Sequence, residues 1–454
     1  MHIERKAMLI RWFDIVIFAI GLLFSMIMIF WLDDAYHKVD ATYFLVWARC
    51  LSRSFSNIYI ECACNYPFLG MLSSAGVIHI LKSLFLNLEP LKYIELFRYV
   101  LAFIDGANIL LVYFILRTLS VHRSLFWAGL IGFLPSSWVG GALWGQIDGI
   151  TQFFLLAFLL YHMRFLASYD KANPHIYRKI PPVWYVIGSS VITVCLLLMK
   201  QLVLFSVPVL VLMVLVTIYL CFKKDFLLLS STFMALVVIG VFLPDLFLHL
   251  REGWFSHFLY ILFGGRTTHG SVIGAGFNIW VFLGGERWSP SNEPFFSFLT
   301  PLNTGMFLFL SYELFLFGSI YRWLRQNLIS QPSPVSYQEI FLILLFLLAL
   351  TNLSFNVLLS GSHMRYLYHF YPFVLITYLG LRQTSTVFSR NMLSFFFIGS
   401  VLYGVFVWEE LGDFPILFRV ITSREFLAVF HLGLLCFLTT VYVRHQRFTI
   451  NQLK

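Results

Sequence analysis

Trp144-Gly145-Gln146-Ile147-Asp148-Gly149 interrupts an apolar chain, with Leu125–Leu143 before it and Ile150–Phe165 after it. Both flanks read as helices in lipid. A carboxylate exposed to the bilayer core costs several kcal/mol, so such a group faces a protein interior or a cavity. Glycines on both sides of Gln146 and Asp148, and the leading tryptophan, predict a hairpin at the membrane edge. What else reaches that edge decides the reading of the whole chain.

Hydrophobic residues make up 59% of the 454-residue chain and charged residues 12%, about half the charged share of a soluble domain. Apolar runs of about 20 residues recur from end to end. We read crossings at 12–32, 94–117, 124–143, 148–166, 183–199, 202–222, 226–248, 304–323, 339–360, 365–381, 391–408 and 424–443. The expected fold is therefore an all-α polytopic membrane protein of about 12 transmembrane helices, forming one integral domain over 1–454. The first run is too long for a cleavable signal and no small-residue cleavage site follows it, so it reads as an uncleaved first crossing.

The net charge of +9 does not form a nucleic-acid stripe, because the basic residues come in short clusters between spans. Segments 1–11, 117–123, 164–181, 223–225, 322–339, 382–390 and 444–454 carry 18 of the 31 Lys and Arg with four acids. The rest of the chain holds 13 Lys and Arg against 18 acids. The positive-inside rule makes the seven clusters cytoplasmic, together with both termini. The apolar stretch 67–88 would invert this arrangement if it crossed, so we expect it to be interfacial or re-entrant. Two long loops, 33–93 and 249–303, then lie outside and carry interfacial helices. The turns at 144–148 and at Met199-Lys200-Gln201 share that face.

The polar groups of this face are few. Asp33, Asp34 and Asp40 lie in the first outer loop. Asp40 opens a stretch with Tyr43, Phe44, Trp47 and then Phe55, the spacing of an amphipathic surface helix that would hold its carboxylate at headgroup level. Arg98 and Asp105 fall seven apart in one span, two turns along one face, as an intramembrane charge pair or an interhelical contact. Lys200-Gln201 offers a snorkelling lysine or a cation for phosphate. His363-Met364-Arg365-Tyr366 opens a turn into a span, and an arginine fork suits phosphate. His363 and His369 are not at zinc spacing, while Asp33-Asp34 offers adjacent carboxylates to a divalent ion or to solvent. Of the six cysteines, Cys50, Cys62 and Cys64 share the first loop, where one disulfide would leave one thiol over.

Asp40, Trp47-Ala48, Tyr59 and Asn65-Tyr66-Pro67 together resemble the first-loop pattern of the GT-C superfamily, the integral-membrane glycosyltransferases that use polyprenyl-phosphate sugars. Trp144-Gly145-Gln146-Ile147-Asp148, Lys200-Gln201, Phe277-Asn278-Ile279-Trp280 and His363-Met364-Arg365-Tyr366 follow in the order of bacterial proteins related to the GPI mannosyltransferase II family. The resemblance runs from about residue 33 to 381. Two departures stand out. Met364 replaces the usual Glu, and the Pro often found between Lys and Gln is missing from Lys200-Gln201.

The resemblance implies an inverting transfer of one sugar, by family a mannose, from a polyprenyl-phosphate donor to a lipid- or glycan-linked hydroxyl at the non-cytoplasmic face. It assigns Asp40 as base, with Asp33 and Asp34 as fallbacks, and Arg365 and Lys200 as stabilisers of the leaving phosphate. Tyr66, Gln146, Asp148, Gln201, Asn278, His363 and Tyr366 would bind substrate, supported by Trp47, Arg98, Asp105 and Trp144. A lipid-linked sugar transporter or flippase explains the spans equally well, and a lipid-linked glycan polymerase or ligase shares the chemistry. The transporter reading predicts inverted repeats with broken helices at the midplane, and neither is visible in the sequence.

Overall fold

A computed structural model describes residues 2–31, 38–62, 64–85, 88–169, 180–250, 253–261, 276, 278–283, 290–329, 336–362, 364–382, 390–411 and 423–451. Asp33, Asp34 and His363 lie outside the described residues, as do the side chains of Asp40 and Arg365. The described residues are almost entirely helical, and the one β feature among them is a bridge between Phe296 and Leu299. Eight described helices are long and apolar enough to cross a membrane, which makes this a multi-pass integral membrane protein.

Residues 1–266 and 267–454 form two compact units. The first contains α1 (His2–Trp31), α2 (Lys38–Arg53), α3 (Ile58–Glu61), α4 (Phe68–Met71), α5 (Val77–Leu84), α6 (Pro90–Thr118), α7 (Ser124–Phe133), α8 (Asp148–Tyr169), α9 (Pro182–Met199), α10 (Val207–Cys221), α11 (Phe226–Phe242) and α12 (His257–Leu259). The second contains α13 (Pro301–Leu324), α14 (Tyr337–Leu358), α15 (Phe370–Leu381), α16 (Arg390–Leu411) and α17 (Arg424–Asn451). Prolines open α6, α9 and α13, where a missing N–H costs nothing. Ser336 caps α14 by accepting the Glu339 amide.

Each expected crossing coincides with helical structure, but several are shorter than their apolar runs. The 124–143 run breaks at Leu134-Pro135, because proline lacks the amide needed to continue the ladder. It continues as a 3₁₀ turn, Pro135–Ser137, and a π turn, Val139–Leu143. The 202–222 and 365–381 runs likewise begin as 3₁₀ turns, Gln201–Phe205 and Met364–His369. Phe68–Leu84 is a single apolar stretch with a π turn at Leu72–Gly76. At 17 residues it reaches about 25 Å, short of the roughly 30 Å hydrocarbon core.

In the first unit α1 lies against α7 through glycines. A Cβ at Gly21 would sit 2.0 Å from the Gly129 carbonyl oxygen, so the close approach needs the small-residue pair. In the second, α14 has 94% of its apolar window inside protein, whereas α1 has 22%. The α14 helix is therefore a core element, and α1 presents most of its surface to lipid.

The amphipathic reading of Asp40–Phe55 corresponds to α2, whose Phe44, Leu45, Trp47 and Ala48 are buried while Tyr43, Val46 and Arg49 are exposed. A Cys50–Cys62 disulfide ties the end of α2 to α3. Cys64 is the thiol left over, and complete burial pushes it up to about 12. It is inert at neutral pH.

Candidate functional site

The site in the first unit is built on one face of α6. Arg98, Asp105 and Asn108 lie two turns and then one turn apart, all buried inside an apolar helix. They hold the broken segment. Arg98 Nε donates to the Ala142 carbonyl at 3.3 Å, and Asp105 Oδ2 accepts from the Ala142 amide at 3.0 Å. Asn108 Nδ2 donates to the Gly149 carbonyl at 2.9 Å. These are interhelical contacts, one of the two readings open for Arg98 and Asp105. Broken backbone at this depth needs such partners, because no water replaces the lost ladder bonds. The glycines admit the carboxylate: a Cβ on Gly141 or Gly149 would lie 2.5 or 2.6 Å from Asp105 Oδ1.

So anchored, Trp144–Ile147 turns back with Gly145 at φ +77°, and Asp148 becomes the first residue of α8. Gln146 and Asp148 are fully buried. Lys200, 3% exposed, follows the C-terminus of α9 in extended backbone, and its Nζ donates to Asp148 Oδ1 at 2.5 Å. The anion thus sits at a positive helix end and the cation at a negative one, so both dipoles favour the pair. The pair is buried, and each charge depends on the other for compensation.

The first loop closes over this pair. Tyr66 Oη donates to Gln146 Oε1 at 2.6 Å, and its ring centroid is 6.0 Å from Lys200 Nζ. Tyr59 Oη donates to the Tyr66 carbonyl at 2.9 Å. Trp47 and Phe44 stand 5.3 and 5.9 Å from the Tyr66 ring, which fastens α2 to the same centre. Asp40 belongs to the first turn of that helix, one turn before Phe44. Gly70 lets α4 meet the end of α9, since a Cβ there would lie 2.0 Å from the Met199 carbonyl oxygen.

Two buried polar atoms of this cluster, Gln146 Nε2 and Asp148 Oδ2, have no hydrogen-bond partner in the protein. One is a donor and the other an acceptor. An amide N–H₂ and a carboxylate oxygen left over next to a lysine suit a hydroxylated, phosphorylated ligand. Gln201, half-buried in the following 3₁₀ turn, also keeps a buried Oε1 without a partner.

The second unit gathers the remaining motifs. Asn278 is fully buried; its Nδ2 donates to Ser362 Oγ at 3.2 Å and its Oδ1 accepts from the Trp280 amide at 3.2 Å. Ser362 Oγ donates to the Asn356 carbonyl at 2.9 Å, and Trp280 Nε1 to the Leu358 carbonyl at 2.9 Å. This fixes the segment against the turn that carries Arg365 and the buried Tyr366. Inside α13, Glu313 accepts from the Thr351 and Ser354 hydroxyls of α14, both at 2.8 Å.

Sequence reasoning missed Asn108, whose signal was its position one turn beyond Asp105. It also missed Asp245 and His257, which have no spacing signature. Asp245 Oδ1 accepts both the backbone amide and the Nδ1–H of His257, whose ring packs on Tyr59 and Phe68. Burial holds His257 below the ordinary imidazole value despite the carboxylate beside it. Among the described residues no three His, Cys, Asp or Glu side chains are grouped to hold a metal ion. No family model, curated protein or solved structure matches the chain.

Proposed function

We propose that the protein is a GT-C-type glycosyltransferase that moves one sugar, a mannose by resemblance, from a polyprenyl-phosphate carrier to a lipid- or glycan-linked hydroxyl. The observation that carries this reading is the convergence of three separate sequence motifs. Tyr66, Gln146, Asp148 and Lys200 come from stretches up to 134 positions apart and form one bonded cluster. Its unused donor and acceptor atoms match sugar hydroxyls, and its lysine matches a phosphate.

In this reading Gln146 and Asp148 orient the donor sugar, with Asp148 also bracing Lys200. Asp40 takes the proton of the acceptor hydroxyl, whose oxygen forms the new bond to the anomeric carbon from the face opposite the carrier. The bond from that carbon to the phosphate oxygen breaks, and its electrons leave with the polyprenyl phosphate. Lys200 stabilises the charge that develops there. Holding donor and acceptor in one cavity supplies the entropic part of the rate.

The reading carries a topology of twelve crossings, with both termini cytoplasmic and Asp40 on the opposite face of a bacterial inner membrane, the ER membrane being the alternative. Two independent features support the orientation. One is the segregation of Lys and Arg; the other is the Cys50–Cys62 disulfide in the first loop, which belongs to an oxidising compartment.

Mass spectrometry of lipid-linked glycans from cells with and without the protein tests the activity. The expected result is loss of a single hexose addition on deletion. Unchanged glycans with a sidedness defect in the donor would favour a flippase, and loss of whole glycan blocks a polymerase or ligase.

A further inference from the structure

A cavity of about 580 Å³ opens where α1, α6 and α7 meet, lined by Asp14, Tyr113, Arg117, Arg123 and Ser124 among others. Its volume lies in the roughly 300–1,000 Å³ range of ligand sites. Arg117 is 19 residues beyond Arg98 on α6, about 28 Å of helix, so this cavity is separate from the Lys200–Asp148 site.

The charges are arranged for an anion. Arg123 is bound to Asp14 through Nε at 3.1 Å and Nη2 at 2.7 Å, and its guanidinium stacks 4.3 Å from the Phe126 ring centroid. The buried carboxylate is thereby neutralised and the arginine fixed in place, and its Nη1 edge makes no hydrogen bond among the described residues. Arg117 is exposed; Nη1 donates to Tyr113 Oη at 3.4 Å, which leaves its other N–H groups open. Arg164 of α8 stands 5.8 Å from the ring of Phe114, the neighbour of Tyr113, as a third cation on this side. Among the described residues lining the cavity, Asp14 is the one acid. Ser124 begins α7, whose first amides have no intrahelical partner.

The apolar surroundings identify the source of the anion. Ile15 also lines the cavity, and from there Phe13, Val16, Ile20, Leu23 and Ile27 stay exposed along α1. A headgroup seated among the arginines would lay its acyl chains on that surface. We propose that the cavity binds the phosphate of an anionic phospholipid, with Arg117 and Arg123 as its ligands and α1 as the support for its tails. Basic recesses between membrane helices bind phosphate headgroups by this chemistry. Binding does not depend on the transferase reading; only the leaflet, the cytoplasmic one, depends on the orientation argued above.

Native mass spectrometry of the purified protein titrated with phosphatidylglycerol or phosphatidylcholine of the same chain length is the test. Wild type is expected to retain phosphatidylglycerol with at least about tenfold preference. Arg117→Glu leaves the Asp14–Arg123 pair intact, and Ser124→Asp favours the start of α7 while repelling phosphate. Each should reduce the preference at least about fivefold with an unchanged melting temperature. Equal retention of the two lipids, or variants that keep the preference, would overturn the site. Inorganic phosphate bound at the same arginines without any lipid preference would overturn the lipid assignment.

Discussion

In residues 1–266 the candidate site contains buried charges, and its Lys200–Asp148 pair sits where helices are interrupted. In residues 267–454 the group around Asn278 is made of neutral amides, hydroxyls and backbone carbonyls resting on the unbroken α14. The Lys200–Asp148 pair exists because α7 stops at Leu134 and α9 at Met199, which frees helix ends and extended backbone to receive charge. Asn278 instead uses both ends of its amide on Ser362 and Trp280, as a structural fastener does. Gln146 and Asp148 each keep one polar atom unused. The two clusters thus differ in what they leave unsatisfied, which is what separates the proposed ligand site from a group that holds a turn in place.

The contrast is broken most directly by removing one member of each cluster. Lys200→Met leaves the Asp148 carboxylate buried without its cation and should cost about 3–5 kcal/mol. It should show as a large fall in the melting temperature of the solubilised protein. Adding Asp148→Leu should recover most of that loss, since the pair is then replaced by apolar groups. Gly141→Ala comes next, because its Cβ would meet Asp105 Oδ1 at 2.5 Å. The resulting shift of the π turn should cost about 1–3 kcal/mol by thermal unfolding. Ser362→Ala loses the neutral hydrogen bonds to the Asn356 carbonyl and from Asn278, and should cost about 1–3 kcal/mol. A loss for Ser362→Ala equal to that for Lys200→Met would erase the distinction between the units.

The smallest effect is one of pH. His257 is held below the ordinary imidazole value of 6.5, so the folded protein prefers it neutral. Its contribution to stability is complete above that value and is lost as pH falls below it, because the unfolded chain binds the proton first. The melting temperature should drop more between pH 7 and pH 5 in wild type than in His257→Gln. An identical drop in both would assign the dependence to other groups.

Much of the fold was legible because lipid imposes a single rule: long apolar runs become helices. The run 124–143 shows the limit of that rule. Hydropathy counts its apolar residues, whereas Pro135 and the glycines from 140 to 149 decide where the helix ends. The candidate site was legible at Gln146, Asp148 and Lys200, since polar and charged groups amid apolar residues are conspicuous. Their pairing was not, because no periodicity links positions 52 apart. Asn278 and the turn before Arg365 resembled substrate ligands in sequence; the structure gives Asn278 two partners within its own unit. The Asp245–His257 contact joins the 3₁₀ turn after α11 to the first residue of α12, and only tertiary structure brings such groups together.

In the proposed transferase Asp40 performs the chemistry while the Tyr66–Gln146–Asp148–Lys200 cluster holds the donor. The direct measurement is transfer of radiolabelled sugar from polyprenyl phosphate by purified wild type and Asp40→Asn, with donor binding measured in the same preparations. The account predicts turnover by wild type, and unchanged donor affinity without turnover by Asp40→Asn. Transfer by Asp40→Asn at the wild-type rate would contradict it.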